Sequence, residues 1–306
     1  MAEEKARKDW TDEKHRRIID EQRRFLWSPE QLARLAGWLG LKPGMTMLDL
    51  GCGYGYVGRA YLPFISPGGR VVGVDRETPL VEEARRRAAE DGVGEAFAFT
   101  AGDACAVPVA DESVDVAYCQ TLLMHLAEPD RCLAELARVT KPGGLVVCNE
   151  PDQLGVTLGY NSAVPFEREE FLTDLRAGII AYEGHKRRGL GDYAIGGRVP
   201  EMMHKLGLTD IDALINERVY LMVPPYGTPK QEHLKLRIKD GLERRDEWKE
   251  ESRADFIAGG GAAEEFDALW ARWERQGVET VAAMERNELF ATNAGVFYVI
   301  QGRKPR

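Results

Sequence analysis

No run of apolar residues in this chain approaches the roughly 20 needed to cross a bilayer as a helix. The charged start Met1-Ala-Glu-Glu-Lys-Ala-Arg-Lys also lacks a secretory apolar segment. Together these absences predict a cytoplasmic protein with no membrane partner. Cysteine is sparse: Cys52, Cys105, Cys119, Cys132 and Cys148 are odd in number and contain no C-x-x-C pair. They read as small buried hydrophobes in a reducing compartment. Positive charge is in deficit, with 41 Lys plus Arg against 50 Asp plus Glu and a net charge of −9. That balance gives no whole-chain attraction to phosphate backbones, so no nucleic-acid partner is expected. Lys186-Arg-Arg188 is a candidate local basic patch, although such a short run is more often a solvated helix end. His185, His204 and His233 are too widely spaced for a metal signature, and no metal site is expected. Internal repeats and low-complexity tracts are absent as well. What remains is a 306-residue chain able to bury a substantial core in one large domain or two smaller ones.

The richest stretch is Met45-Thr-Met-Leu-Asp-Leu-Gly-Cys-Gly-Tyr-Gly-Tyr-Val-Gly58. An apolar run ends in an acid and a glycine cluster, which predicts a strand, a tight turn and a helix start. Gly51, Gly53 and Gly55 let the backbone approach a ligand with no Cβ in the way. Gly53-Tyr-Gly-Tyr-Val-Gly58 satisfies the G-x-G-x-x-G pattern of dinucleotide enzymes, where the helix start receives an anionic pyrophosphate. Here Asp49 puts a negative charge at the mouth of the turn, which suits a cationic group such as an amino acid ammonium.

At Asp49-Leu-Gly-Cys-Gly-Tyr-Gly55 the sequence resembles the glycine motif of class I S-adenosylmethionine-dependent methyltransferases. Asp75 ends the next apolar strand, Val71-Val-Gly-Val-Asp75, where both families place an acid on ribose hydroxyls. The segment Ala96-Phe-Ala-Phe-Thr-Ala-Gly-Asp-Ala-Cys105 is similar to the methyltransferase element lying beside adenine. That similarity implies Asp103 as acceptor from the exocyclic amine and Ala104 as a backbone donor. Ser113-Val-Asp-Val-Ala-Tyr-Cys-Gln-Thr-Leu-Leu-Met-His125 is similar to the family's fourth strand and loop, and Val139-Thr-Lys-Pro-Gly-Gly-Leu-Val-Val-Cys148 to the helix end, turn and fifth strand. Four motifs in this order are far more specific than one glycine loop.

The resemblance implies an α/β fold, a doubly wound, seven-stranded and mostly parallel sheet with helical cap additions. It implies S-adenosylmethionine as cofactor, S-adenosylhomocysteine as product, and cofactor contacts from Asp49, Gly51, Cys52, Gly53, Gly55, Asp75, Arg76, Asp103, Ala104 and Gln120. The acidic net charge and the long helical additions favour a small-molecule acceptor enclosed by those helices, methylated on nitrogen, oxygen, sulfur or carbon.

The expected organisation is a helical lid over 1–40, a cofactor-binding core over 41–150, and completion of the sheet over 151–306 with cap insertions at about 160–207 and 229–290. Within 10–26, Trp10, Ile18, Ile19, Gln22 and Phe25 fall near helical spacing. Ser28-Pro-Glu-Gln31 announces a second helix that stops at Gly40. Trp27 and Trp38 either pack these helices on the core or form an aromatic lid. Helices are expected over 165–186 and 199–207, a sixth strand over 211–223, a helical block over 231–286 broken at Gly259-Gly-Gly261, and a last strand over 295–301. In the family that last strand inserts antiparallel.

Methyl transfer from a sulfonium needs alignment of the acceptor lone pair and exclusion of water. A general base enters only where the acceptor must lose a proton, so the lack of an obvious catalytic triad does not exclude an enzyme. His125 and Glu150 follow the fourth and fifth strands at the carboxyl edge where ligands bind, and both are expected to face the acceptor. For His125 the competing role is to position its loop; for Glu150 it is to hold backbone amides. Tyr54, Tyr56, Tyr160, Tyr182, Tyr193 and Tyr226 are candidates for lining an acceptor pocket.

Overall fold

The computed structural model describes residues 10–11, 27–154, 159–216 and 219–306. The helix expected over 10–26 therefore lies outside the described residues, apart from Trp10 and Thr11. Two compact units divide the chain. The first comprises Met1–Asp152, Tyr193–Glu217 and Phe297–Arg306; the second comprises Gln153–Asp192 and Arg218–Val296.

Helix α1 (Pro29–Trp38) starts as its sequence dictates. Ser28 Oγ accepts the Gln31 amide at 3.1 Å, and Pro29 sits where a free amide would go unused. Trp27 and Leu35 are buried with Val57 and Tyr61, while Trp38 Nε1 donates to Asp212 Oδ2 at 3.1 Å. Residues 27–40 thus pack as part of the first unit, and for both tryptophans the packing role replaces the lid.

The chain then alternates through β1 (Thr46–Leu50), α2 (Tyr56–Ile65), β2 (Arg70–Asp75), α3 (Thr78–Glu90), β3 (Phe97–Ala101), β4 (Val114–Gln120), α4 (Pro129–Val139) and β5 (Thr140–Pro151). It enters the second unit with β6 (Tyr160–Asn161) and α5 (Arg168–Arg187). The first unit resumes in α6 (Val199–Lys205) and β7 (Thr209–Ile215). The second takes over again in β8 (Val219–Met222), α7 (Pro229–Glu243), α8 (Asp246–Ala258), α9 (Ala263–Glu285) and β9 (Ala291–Ala294). Finally β10 (Phe297–Arg303) returns to the first unit.

In the first unit the sheet runs β3-β2-β1-β4-β5-β10-β7. Strands β1 to β5 are mutually parallel, and β10 lies antiparallel between β5 and β7. This is the expected doubly wound, mostly parallel sheet. Alternate residues feed opposite faces: Leu48, Ala117 and Val146 join one buried cluster, whereas Met47, Val116 and Val147 join the other. Strand order reverses between β1 and β4, the position at which open α/β sheets bind ligands beyond their carboxyl ends.

The strand expected over 211–223 is corrected to two. Asn216 ends the first piece: its amide donates to Phe297 O and its Oδ1 accepts the Phe297 amide, each at 2.9 Å. Beyond that point β8 pairs with β9 in a different sheet. The cap insertion expected over 160–207 is also shorter, because residues 193–207 belong to the first unit.

The second unit holds α5, α7, α8 and α9 with a three-stranded sheet ordered β6-β9-β8. The expected helical block over 231–286 is three helices. One break falls at the predicted glycines and another at Arg244 and Arg245. Phe256, Phe266, Leu269 and Trp270 form one of its cores.

Candidate functional site

The carboxyl ends of β1, β2, β3 and β4 bring most of the expected site residues to one edge of the sheet. After β1 the chain turns through Gly51, Gly53 and Gly55, at φ values of 71°, 51° and 69°. The amides of Gly51 and Cys52 both donate to Val74 O, at 2.8 and 3.0 Å, fixing the turn to the end of β2. Two of these glycines have distinct reasons to be there. A Cβ on Gly51 would lie 2.9 Å from Leu122 Cδ1, while one on Gly53 would point into open space. The turn is therefore packed on one side and open on the other.

Asp49 is buried, and its Oδ2 accepts the Gly58 amide at 3.0 Å inside the first turns of α2. That bond places the charge behind the glycine turn, near the amino end of the helix, where a carboxylate is stabilised. Asp75, closing β2, uses Oδ2 for the Gly53 amide at 2.9 Å and Oδ1 for the Glu77 amide at 3.0 Å. Burial raises its pKa above the ordinary aspartate value, against the opposing effect of those two bonds and Arg76. Arg76 itself pairs with Glu77 at 2.8 Å. Cys52 is buried, and its thiol is pushed up by burial and by the charges of Asp49 and Asp75.

Beyond β3, Asp103 is exposed and its Oδ1 accepts the Cys105 amide at 2.8 Å, while Ala104 is half-buried beside it. At the end of β4, Gln120 is buried against its β5 register partner Asn149, whose Nδ2 donates to Gln120 Oε1 at 2.9 Å. Gln120 Nε2 has no partner among the described residues. A buried donor without a partner is costly, and here it stands at the ligand-binding edge.

His125 ends a 3₁₀ turn, Leu123–His125. Its ring meets Trp10 at 4.8 Å and Tyr193 at 5.9 Å, both edge-on. The expectation for Glu150 is corrected. It is fully buried, and its carboxylate accepts the amides of Leu122 and Leu123 at 2.9 Å and of Met124 at 3.3 Å. It anchors the turn after β4 and has no surface to offer an acceptor. Sequence position put Glu150 at the right strand end but gave no sign of its rotation, because β5 is buried on both faces.

Three of the tyrosine candidates have packing or hydrogen-bonding partners within their own unit. Tyr54 is buried under the Arg87 guanidinium, 4.1 Å from the ring centre; Tyr226 is buried with its hydroxyl on Leu289. Tyr182 donates to Asp192 at 2.8 Å. The basic run is ion-paired: Lys186 with Asp192, Arg187 with Glu183 and Arg188 with Asp255. One grouping escaped the sequence reading. His185, Glu251 and Asp255 bring possible ligand atoms within 4.8 Å of one another. Arg188 already ion-pairs with Asp255, and His185 Nδ1 lies 2.9 Å from its other oxygen. Burial alone would raise Asp255, but the His185 and Arg188 bonds outweigh it and hold its carboxyl below the usual range. The cluster thus joins α5 to α8 through hydrogen bonds and the Arg188–Asp255 ion pair. No helix among the described residues is long and apolar enough to cross a membrane.

Strand order, with β10 antiparallel beside β5, departs from the 3-2-1-4-5-6 order of dinucleotide folds. In agreement, residues 48–148 match the family model described as a methyltransferase domain. The chain is 34% identical over 117 residues to the ubiquinone/menaquinone biosynthesis C-methyltransferase of a Ruegeria species, covering 38% of this chain and 46% of that protein. An uncharacterised methyltransferase of Schizosaccharomyces pombe is 28% identical over 232 residues, covering 69% of this chain and 80% of that one. The chain spans only 31–46% of the length of the curated relatives it matches first. Among solved structures, a proposed methyltransferase from Bacillus halodurans superposes with a TM-score of 0.53 at 17% identity. That match covers 90% of this chain and all of the other, and it shows the shared fold.

Proposed function

We propose that this chain, whose residues 48–148 match the family model described as a methyltransferase domain, is a class I S-adenosylmethionine-dependent enzyme that transfers the cofactor's methyl group to a small-molecule acceptor. The observation that carries the reading is the convergence at one sheet edge of the glycine turn, Asp75, Asp103 and the unpartnered amide of buried Gln120. This donor and acceptor set fits the cofactor. The open side of Gly53 leaves room for its approach, Asp75 suits ribose hydroxyls, Asp103 and Ala104 suit adenine, and Gln120 Nε2 can donate to a carboxylate.

The bound cofactor supplies a methyl group on a sulfonium, already joined to its leaving group. The protein's part is then to orient and to exclude water, which supplies much of the acceleration in such displacements. Asp49 acts through the fold, holding the glycine turn to α2. His125, bracketed by Trp10 and Tyr193, is the residue we assign to the acceptor side, as a base where the acceptor carries a proton. The acidic net charge and the quinone-pathway role in the name of the Ruegeria relative support a small acceptor over nucleic acid.

The test is isothermal titration followed by a metabolite screen. S-adenosylhomocysteine is expected to bind and NAD(H) not to bind, and at least one small molecule should release S-adenosylhomocysteine from S-adenosylmethionine. Binding of NAD(H) alone would defeat the cofactor reading; turnover only on RNA or protein would defeat the acceptor reading.

A further inference from the structure

The turn after β4 is held from β5 and presses on the glycine turn. Three amides, those of Leu122, Leu123 and Met124, converge on the Glu150 carboxylate. Thr121, just before them, is β-branched yet lies in the left-handed region at φ 49°, a conformation that persists only where its surroundings over-determine it. Its amide donates to Asn149 O at 2.9 Å. The Leu122 side chain occupies the space beside Gly51, 2.9 Å from where a Cβ would stand.

We infer that Glu150 is a positioning residue that sets cofactor affinity through Leu122 and the glycine turn. Charge-assisted bonds from three donors fix the backbone of residues 122–124 more firmly than neutral ones would. The Leu122 backbone fixes its side chain, and that side chain backs the face of Gly51. Glutamine replaces the carboxylate only in part: with its oxygen toward Leu122 and Leu123, its NH₂ group turns a donor toward the Met124 amide, and the two bonds that remain lose the charge. Glu150 acts without touching either reactant, and the same turn carries His125 at its end. This inference rests on the glycine turn being the cofactor site.

The experiment is a double-mutant cycle read by titration of S-adenosylhomocysteine into the full chain, with Tm recorded for each variant. Glu150→Gln and Leu122→Ala are each expected to weaken binding about 10-fold, in the range of a lost charged hydrogen bond. The double variant should be little worse than the weaker single, because both changes break one path. Wild-type affinity in Glu150→Gln, whatever its Tm, would overturn the inference, as would multiplied losses in the double variant. Should Glu150→Gln fail to fold, amide exchange in the wild-type protein decides. Coupling between sites is reciprocal, so S-adenosylhomocysteine must slow exchange at residues 122–124, and unchanged exchange there would overturn the inference. A wild-type protein that does not bind S-adenosylhomocysteine would instead defeat the cofactor reading beneath it.

Discussion

One carboxylate, that of Asp75, holds the amide of Gly53 at 2.9 Å and that of Glu77 at 3.0 Å. Asp75 therefore joins the glycine turn to the start of α3 before any ligand arrives. Asp75→Ala removes an acceptor from both the turn and the proposed ribose position. S-adenosylhomocysteine binding should weaken by about 1–3 kcal/mol in a titration, the usual cost of a lost charged hydrogen bond.

The raised pKa of Asp75 makes its contribution to binding and its contribution to stability run oppositely with pH. In the proposed cofactor site ribose hydroxyls would donate to the ionised form, so affinity should fall on acidification sooner than an ordinary aspartate would cause, and Asp75→Asn should flatten that profile. For stability the folded-state value lies above the unfolded one. The contribution is then fully present below the unfolded pKa and is lost as pH rises through the folded pKa. Urea unfolding should show wild type gaining on Asp75→Asn as pH falls through that window.

Gly51→Ala should destabilise the protein by about 1–3 kcal/mol, because it combines a positive φ with a forced contact on Leu122. Gly40→Ala is the control. It also has a positive φ, 64°, but nothing stands within 4 Å of its Cβ, so its cost should stop near about 1 kcal/mol. Equal losses in denaturant unfolding would show that Leu122 does not press on the turn.

Asp255→Ala leaves His185 and Arg188 without their shared acceptor and should cost about 3 kcal/mol, as breaking a buried pair does. Asp255 has a depressed folded-state pKa. Its stabilisation is present above the unfolded value and disappears as pH falls through the folded one. The gap between wild type and variant, followed by urea unfolding at a series of pH values, should close on the acid side of the ordinary carboxylate range.

Local signals made the first unit legible. Ser28 and Pro29 marked α1, and glycines after apolar runs marked strand ends. The 297–303 strand was readable from its apolar content, although its first residue came two positions later than expected. Long-range pairing left no such trace. Residues 211–223 hold two apolar runs on either side of Asn216-Glu-Arg218, and 209–215 pair with β10 whereas 219–222 pair with β9. Strands β6 and β9 contain two and four residues, too few for a period of two to register. Strand-end position put Asp75 and Gln120 at the carboxyl ends of β2 and β4, and the structure has them there. The same reading misplaced Glu150, since a strand covered on both faces has no alternation from which to read direction. The His185 and Asp255 pair lies 70 positions apart in the chain, beyond any spacing rule.

The small sheet β6-β9-β8 takes one strand from the first insertion and two from the second. Grafted alone onto another seven-stranded core, the first insertion would leave β6 without its partner strand, and the second would leave backbone donors and acceptors of β9 unmatched along one side. The two must be inherited, deleted or exchanged as a set, although the sequence separates them by α6 and β7. Chimeras that swap 153–192 and 218–296 together should therefore fold where a swap of either segment alone does not.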